Sequence, residues 1–149
     1  MSLNEGIHKA CIDMLDQKIR LLQATIADLK ESASNETKST AGDKHETALA
    51  MLQIEQKNTG AQMENLRSQK MQLERILPLS HPAYVVNGSL VKTNRGYFYL
   101  SIAMGKLVVE EIMVIALSPQ SPLGSKFMGL RVNDSTSLNG TTYVIENIE

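Results

Sequence analysis

Two acidic side chains, Asp43 and Glu46, stand three residues apart in the polar stretch STAGDKHETA at 39–48. The stretch lies between two long helical patterns and holds a single glycine, Gly42. Two neighbouring carboxylates could hold a divalent cation. The same spacing is that of a capping box, and acidic residues are favoured at a helix N-terminus. The segment therefore leaves a metal-binding pair and a helix cap both open.

The composition limits the class of protein. The 149 residues are 42% hydrophobic and 21% charged, which fits one ordinary domain or two small ones. With 15 basic and 16 acidic residues, we do not expect a free nucleic-acid binder. The start lacks the apolar core of a signal peptide, and the longest apolar run, IMVIAL at 112–117, is too short to span a bilayer. We expect a cytoplasmic protein that does not enter a membrane, whose only cysteine, Cys11, is an inert helix residue.

The first half of the chain has the periodicity of a coiled coil. Apolar residues follow alternating steps of three and four in both helical patterns, and the second pattern has polar residues at three of these seam positions. A short turn between two helices of similar length favours an antiparallel hairpin. The seam positions are Ile12, Leu15, Ile19, Leu22, Ile26 and Leu29, then Leu49, Leu52, Gln56, Thr59, Met63, Leu66, Lys70, Leu73 and Leu77.

The second half is typical of short strands. Val, Ile, Tyr and Phe are concentrated in AYVV, SLVKTN, GYFYLSIA, KLVVEEIMVIAL and TYVIENI, and glycine-containing turns separate these segments. Before the last one, Ser121 can cap a helix that has Pro122 at its first position and Gly129 after its end. The sequence thus predicts an α+β protein. A coiled-coil hairpin covers 1–77 with its tip near 35–46, a linker covers 78–84, and a small antiparallel sheet domain with one short helix covers 85–149.

The residues from Ser121 to Glu149 resemble the C-terminal domain of the Gre transcript-cleavage factors of bacterial RNA polymerase. That family has a Ser-Pro-Leu-Gly opening, a short helix ending in Gly, a Val-Gly-Asp turn, a Gly-containing hairpin and a Tyr-x-Ile-x-x-Ile-Glu strand. NGSLV at 87–91 is similar to the family's entry strand. The matching residues are Ser121, Pro122, Leu123, Gly124, Gly129, Val132, Asp134, Gly140, Tyr143, Ile145, Ile148 and Glu149. At Asn133 the family has Gly, so the turn there is expected to differ.

The hairpin tip of the same family reads Gly-Asp-x-x-Glu-Asn-Ala-Glu-Tyr. In GDKHETALA the Gly, the Asp, the first Glu and the Ala of the motif are matched, whereas Thr47, Leu49 and Ala50 depart from it. The chain therefore looks like a divergent member of the Gre-type transcription elongation factors.

The resemblance implies an accessory factor and not an enzyme in its own right. The hairpin would enter the secondary channel of RNA polymerase, where Asp43 and Glu46 would hold Mg²⁺ jointly with the polymerase for hydrolysis of the backtracked RNA 3′ end. Residues 85–149 would have an FKBP-like fold and dock at the channel mouth. Ser121, Pro122 and Leu123, with Phe127 added, would contact the polymerase. Leu123 and Phe127 are also spaced as one apolar helix stripe, which is typical of a core.

Several alternatives stay open at the level of sequence. Lys38 and Lys44 could steer the RNA backbone or only keep the tip solvated, and His45 could modulate Mg²⁺ affinity or be an exposed helix residue. Loss of the second Glu and the Tyr of the tip motif favours a channel-binding regulator that does not promote cleavage. A coiled-coil interaction protein unrelated to transcription is the other alternative. We expect a monomer or a weak homo-oligomer.

Overall fold

The computed structural model describes residues 2–38, 42–76 and 81–149, with side chains for all of these except 36–38 and 42–46. The predicted helical hairpin is confirmed, because helix α1 runs over Leu3–Lys38 and helix α2 over Gly42–Glu74. Residues 39–41 of the predicted tip lie outside the described residues. So do residues 77–80, which hold the last seam position and part of the predicted linker.

The coiled-coil seam is also confirmed in both helices. Each described seam position is buried or half-buried, whereas most residues between them are exposed. Leu15 and Met63 are the buried apolar members within 14–70. The polar position Thr59 is buried as well, and its hydroxyl donates to the backbone oxygen of Glu55. The steps of three and four therefore identify the packed face correctly, even where the residue type is polar.

In the described residues, the second half of the chain forms one six-stranded sheet and one short helix. The order across the sheet is β3-β4-β2-β1-β6-β5. All neighbours pair antiparallel except β2 and β4, which pair in parallel. The strands are β1 Leu90–Thr93, β2 Gly96–Leu100, β3 Gly105–Val109, β4 Ile112–Leu117, β5 Ser135–Leu138 and β6 Thr141–Ile148, and helix α3 is Pro122–Phe127.

Two strand predictions were wrong. AYVV is not a strand, although Val85 exchanges backbone hydrogen bonds of 2.8 Å with Gly129 and Leu130. KLVVEEIMVIAL is not continuous, because Glu110 and Glu111 turn the chain between β3 and β4 with φ angles of 52° and 66°. The predicted antiparallel sheet is confirmed in four of its five strand pairings, and β4 pairs with β2 in parallel.

The core of the sheet lies under α3. It is built from the β-branched and aromatic residues that the strand patterns supplied, and Val91, Phe127 and Ile145 in it have no exposed surface. The rings of Phe98, Phe127 and Tyr143 contact one another, with centroids 5.2 to 5.7 Å apart. Such tilted and edge-to-face pairs add to the free energy gained from burial alone.

The described residues form two compact units. Unit 1 comprises 1–13 and 71–149, and unit 2 comprises 14–70. In unit 1 the buried Asn4 side chain donates to the backbone oxygens of Gly88 at 3.1 Å and Glu149 at 3.0 Å. The first turns of α1 therefore belong with the sheet, which the seam pattern alone did not indicate.

Candidate functional site

The predicted metal-binding carboxylates lie on the first two turns of α2. This helix begins at Gly42, so Asp43 and Glu46 are both inside it, and residues three apart on a helix share a face. The structure does not describe their side chains or those of Lys38, Lys44 and His45. Negative charge at this end of a helix is favourable whether or not it binds a cation.

The chemistry of the carboxylate pair fits a shared Mg²⁺ site better than a complete one. Mg²⁺ takes about six oxygen ligands in near-octahedral geometry and keeps several waters. The carboxylates of Asp43 and Glu46 supply only part of that set. Among the residues whose side chains are described, no group of three His, Cys, Asp or Glu could hold a metal ion. Two carboxylates with waters in the remaining positions would hold Mg²⁺ only weakly.

Ser121 is the N-cap of α3, as predicted. Its Oγ accepts a hydrogen bond from the backbone N–H of Gly124 at 3.0 Å and donates to the backbone oxygen of Ser118 at 2.6 Å. Pro122 occupies the first helical position, where its missing N–H costs nothing. The hydroxyl of Ser121 therefore holds the local backbone, whereas the ring of Pro122 is exposed.

The glycine of the Ser-Pro-Leu-Gly segment has a steric cause. A Cβ atom added to Gly124 would lie 2.0 Å from the backbone oxygen of Ser118 and 2.7 Å from Oγ of Ser121. The first distance is far below van der Waals contact, and the atom met is backbone. Only glycine lets the strand-to-helix connection approach α3 this closely.

Phe127 is not available as a partner contact, which corrects the sequence-based prediction. Its side chain has no exposed surface and lies among the core aromatics, because the apolar stripe of α3 faces the sheet. Leu123, four residues earlier, is half-buried against the same core. The core interpretation of this stripe is therefore confirmed, and of the predicted contact residues within α3 only Pro122 and the outer part of Leu123 are accessible to a partner.

The turn at Asn133 accommodates its departure from the family pattern. Asn133 has a φ of 77°, a left-handed conformation that glycine favours and that Asn tolerates better than most residues. The carboxylate of Asp134 accepts from the backbone N–H of Arg131 at 2.8 Å and closes the turn. Asn is thus compatible here with a turn that glycine could also form.

One polar residue of the α2 seam, Lys70, forms an ion pair with the partner helix in the same chain. Nζ of Lys70 lies 2.6 Å from Oδ1 of Asp16 on α1, and both side chains are about one-third exposed. The steps of three and four located Lys70 on the packed face but gave no sign of Asp16 as its partner, because Asp16 lies outside the apolar seam.

A group of buried titratable side chains was also missed. Nδ1 of His8 lies 2.8 Å from the hydroxyl oxygen of Tyr99, and Cys11 on the same helix is fully buried. Burial lowers the pKa of His8 and raises that of Tyr99, to which Cys11 adds a smaller effect, and it raises the pKa of the Cys11 thiol to about 12. The predicted inertness of Cys11 agrees with this environment.

In the described residues, every helix is too short or too polar to traverse a lipid bilayer. No protein-family model and no curated protein matches this chain, so the Gre resemblance rests on the motif residues given above.

Proposed function

We propose that this chain is a transcription elongation factor of the Gre type, acting in the cytoplasm on bacterial RNA polymerase. It binds the secondary channel with its helical hairpin and promotes Mg²⁺-dependent cleavage of backtracked RNA. The observation that carries the proposal is the order of parts. A hairpin whose second helix opens on Gly42, Asp43 and Glu46 is followed by a sheet whose short helix opens on the Ser121-capped Ser-Pro-Leu-Gly segment.

The carboxylates of Asp43 and Glu46 act in this proposal as donated ligands. Both residues lie in the first two turns of α2, and their spacing of three supports the proposal that both carboxylates bind the same cation. A Mg²⁺ held jointly with polymerase carboxylates would lower the pKa of a bound water and orient it for attack on a phosphodiester. Because the chain supplies an incomplete ligand set, it has no cleavage activity of its own.

The start of α3 is proposed to contact the polymerase at the channel mouth. Pro122 is exposed and Leu123 is partly exposed, so these two side chains supply an apolar contact. Ser121 positions them, because its hydroxyl bonds fix the start of the helix. Phe127 acts only by anchoring α3 to the core.

The test is to add the protein with Mg²⁺ to a stalled, backtracked elongation complex and to measure shortening of the RNA from its 3′ end. Cleavage above the intrinsic rate of the polymerase supports the proposal. Absence of cleavage together with absence of binding to the polymerase would reject it. The chain incubated with RNA alone is the control, and it should leave the RNA intact.

A non-cleaving channel regulator is the second candidate, and residues 49 and 50 favour it. Leu49, where the family has Glu, is half-buried at a seam position, and Ala50, where the family has Tyr, is exposed. The chain thus lacks two polar groups of the family's tip motif. Binding to the polymerase with no RNA shortening, together with competition against a cleavage-active factor, would select this candidate.

The coiled-coil interaction protein receives less support. It would be favoured if Gln56, Thr59 and Lys70 faced a second molecule, but Lys70 is paired with Asp16 and Thr59 is buried. Leu21, Met51 and Ile54 on the hairpin are each more than 60% exposed and could meet a partner of any kind. Recovery of the tagged chain from cell extract without polymerase subunits would favour this candidate.

A further inference from the structure

Unit 1 contains a cavity of about 510 Å³ that the proposed function does not use. It lies where the end of α2 meets the connection after β2 and the connection between β4 and α3. We call it the Ser101 cavity. Its polar lining consists of Gln72, Arg75, Asn87, Ser101 and Gln120. Ile76, Pro119 and Met128 complete the lining with apolar surface. This volume is in the range of sites that bind small organic molecules.

The hydroxyl of Ser101 is the first reason to regard the cavity as a binding site. Ser101 is only 6% exposed, and among the described residues its Oγ is the buried side-chain polar atom without a hydrogen-bond partner. Its backbone N–H is already satisfied by the backbone oxygen of Leu117 at 2.9 Å. A buried hydroxyl without a partner destabilises the fold, so such a group calls for an explanation. Ser101 lines the cavity, but its Oγ has less than 1 Å² of accessible surface, so the hydroxyl must turn towards the cavity for a ligand there to supply the missing partner.

The charge of the lining is the second reason. Among the described residues that line the cavity, Arg75 brings one positive charge and none is acidic. Gln120 adds a donor, because its Oε1 already accepts from Oγ of Ser118 at 2.6 Å and its amide nitrogen has no partner among the described residues. The guanidinium, this amide and the Ser101 hydroxyl all donate hydrogen bonds. The lining is therefore suited to an anion that accepts several of them.

We propose that the Ser101 cavity binds a small organic carboxylate that carries an apolar body. A single guanidinium matches a monoanionic carboxylate in bidentate geometry, whereas a phosphate dianion would call for more positive charge. Ile76, Pro119 and Met128 cover a hydrocarbon portion of the ligand. This site is independent of the proposed polymerase role, because none of its lining residues belongs to the tip or to the Ser-Pro-Leu-Gly segment.

Three probes separate the charge from the apolar body. Hexanoate has both, acetate has the charge alone, and hexanamide has the body alone. Each is titrated into the ¹⁵N-labelled full chain while the backbone amide signals of Asn87, Ser101 and Gln120 are followed. We expect saturable shifts with hexanoate, with a dissociation constant on the order of 1 mM. Acetate and hexanamide should each bind at least about tenfold more weakly than hexanoate, because acetate lacks the buried methylenes and hexanamide lacks the ion pair.

Variants test the residues. Arg75→Gln and Ser101→Ala should each weaken hexanoate binding about tenfold, because each removes a donor to a charged acceptor. Arg95→Gln is the matched control, since it removes an exposed arginine from the turn between β1 and β2 and should leave binding unchanged. Circular dichroism confirms that all three variants fold. Hexanoate shifts that do not saturate, equal binding of hexanamide, or unchanged affinity in Arg75→Gln would each overturn the proposal.

Discussion

His8 on α1 and Tyr99 on β2 are joined by a hydrogen bond of 2.8 Å between Nδ1 and the phenolic oxygen, although 91 positions separate them in the sequence. Their rings meet edge to face, with centroids 6.4 Å apart. Burial lowers the pKa of the imidazole below its ordinary value of 6.5, so the fold favours the neutral ring. This one contact makes the stability of unit 1 sensitive to pH.

The expected direction follows from proton linkage. The folded state has the lower pKa for His8, so the unfolded chain takes up more protons between that pKa and 6.5. The contribution of neutral His8 is present above pH 6.5 and is lost as the pH falls through the folded pKa. The melting temperature should therefore decrease as the pH is lowered from about 7.5 to about 5.5. The melting temperature of His8→Gln should fall less over this range. The melting temperature of His81→Asn, a control at an exposed residue, should change as that of the wild type does.

The thiol of Cys11 should be unreactive in the folded protein. Burial raises its pKa from 9.0 to about 12, so at about pH 8 almost no thiolate is present, and the sulfur is also inaccessible. A disulfide reagent that releases a coloured thiolate should react at once in urea but slowly without it. Since Cys11 is the only cysteine, the slow rate reports opening of unit 1. A rate equal to that of a free thiol would contradict the buried position.

Two glycines should respond oppositely to alanine. Gly124→Ala forces a methyl group against the Ser118 oxygen and should lower the free energy of unfolding by about 2 kcal/mol or more. At Gly60, inside α2, an added Cβ would meet nothing within 4 Å. Gly60→Ala should therefore raise the free energy of unfolding by about 0.5–1 kcal/mol. Urea titration of both variants measures the difference. Equal effects would show that the close approach at Ser118 is not rigid.

Two leucines of α1 test the packed face of the hairpin. Leu15→Asp places a charge at a seam position that is 1% exposed and should cost about 3 kcal/mol or more. Leu21→Asp makes the same change at a side chain that is 64% exposed and should stay within about 0.5 kcal/mol of the wild type. The helical signal at 222 nm during thermal unfolding measures both. Similar melting curves for the two variants would reject the assigned seam.

The carboxylate pair can be separated from its effect on the helix. Asp43→Asn with Glu46→Gln keeps polar groups of nearly the same shape and should cost about 1 kcal/mol or less. A neutral amide is a much poorer Mg²⁺ ligand, so the double variant should bind the polymerase, compete with the wild type and no longer promote RNA cleavage.

Asp28→Asn with Glu64→Gln is the control for that double variant. It removes two exposed charges elsewhere on the hairpin and should cleave like the wild type. A large loss of stability in the Asp43 and Glu46 variant would indicate that the pair acts chiefly on the helix. Full cleavage activity in that variant would instead remove these residues from the chemistry.

The fold was predictable where the signal was local. Steps of three and four along α1 and α2 identified the packed face, and Ser121 with Pro122 identified the start of α3. The turn between β3 and β4 was missed because two glutamates adopt positive φ without any Gly or Asn to mark them. Strand β5 was missed because Ser135–Leu138 lacks the usual β-branched apolar residues.

Long-range relationships were not predictable from one sequence. The parallel pairing of β2 with β4 depends on which strands meet, and local patterns carry no information on that choice. In the Ser101 cavity, Arg75 meets Ser101 and other loop residues of the sheet domain. Neither Arg75 nor Ser101 belongs to a sequence motif. Phe127 was wrong as a contact because the period of an apolar stripe does not say whether the stripe faces a core or a partner.

The split of unit 1 into two chain segments has a consequence for the order of folding. Asn4 bonds to Glu149 across almost the whole sequence, so this part of unit 1 forms only after a long loop has closed. The contacts of unit 2 lie within 14–70, and the Lys70–Asp16 ion pair holds the two ends of that segment side by side. We expect the hairpin to form first and to shorten the remaining search, because local helical contacts form faster than distant strand pairings.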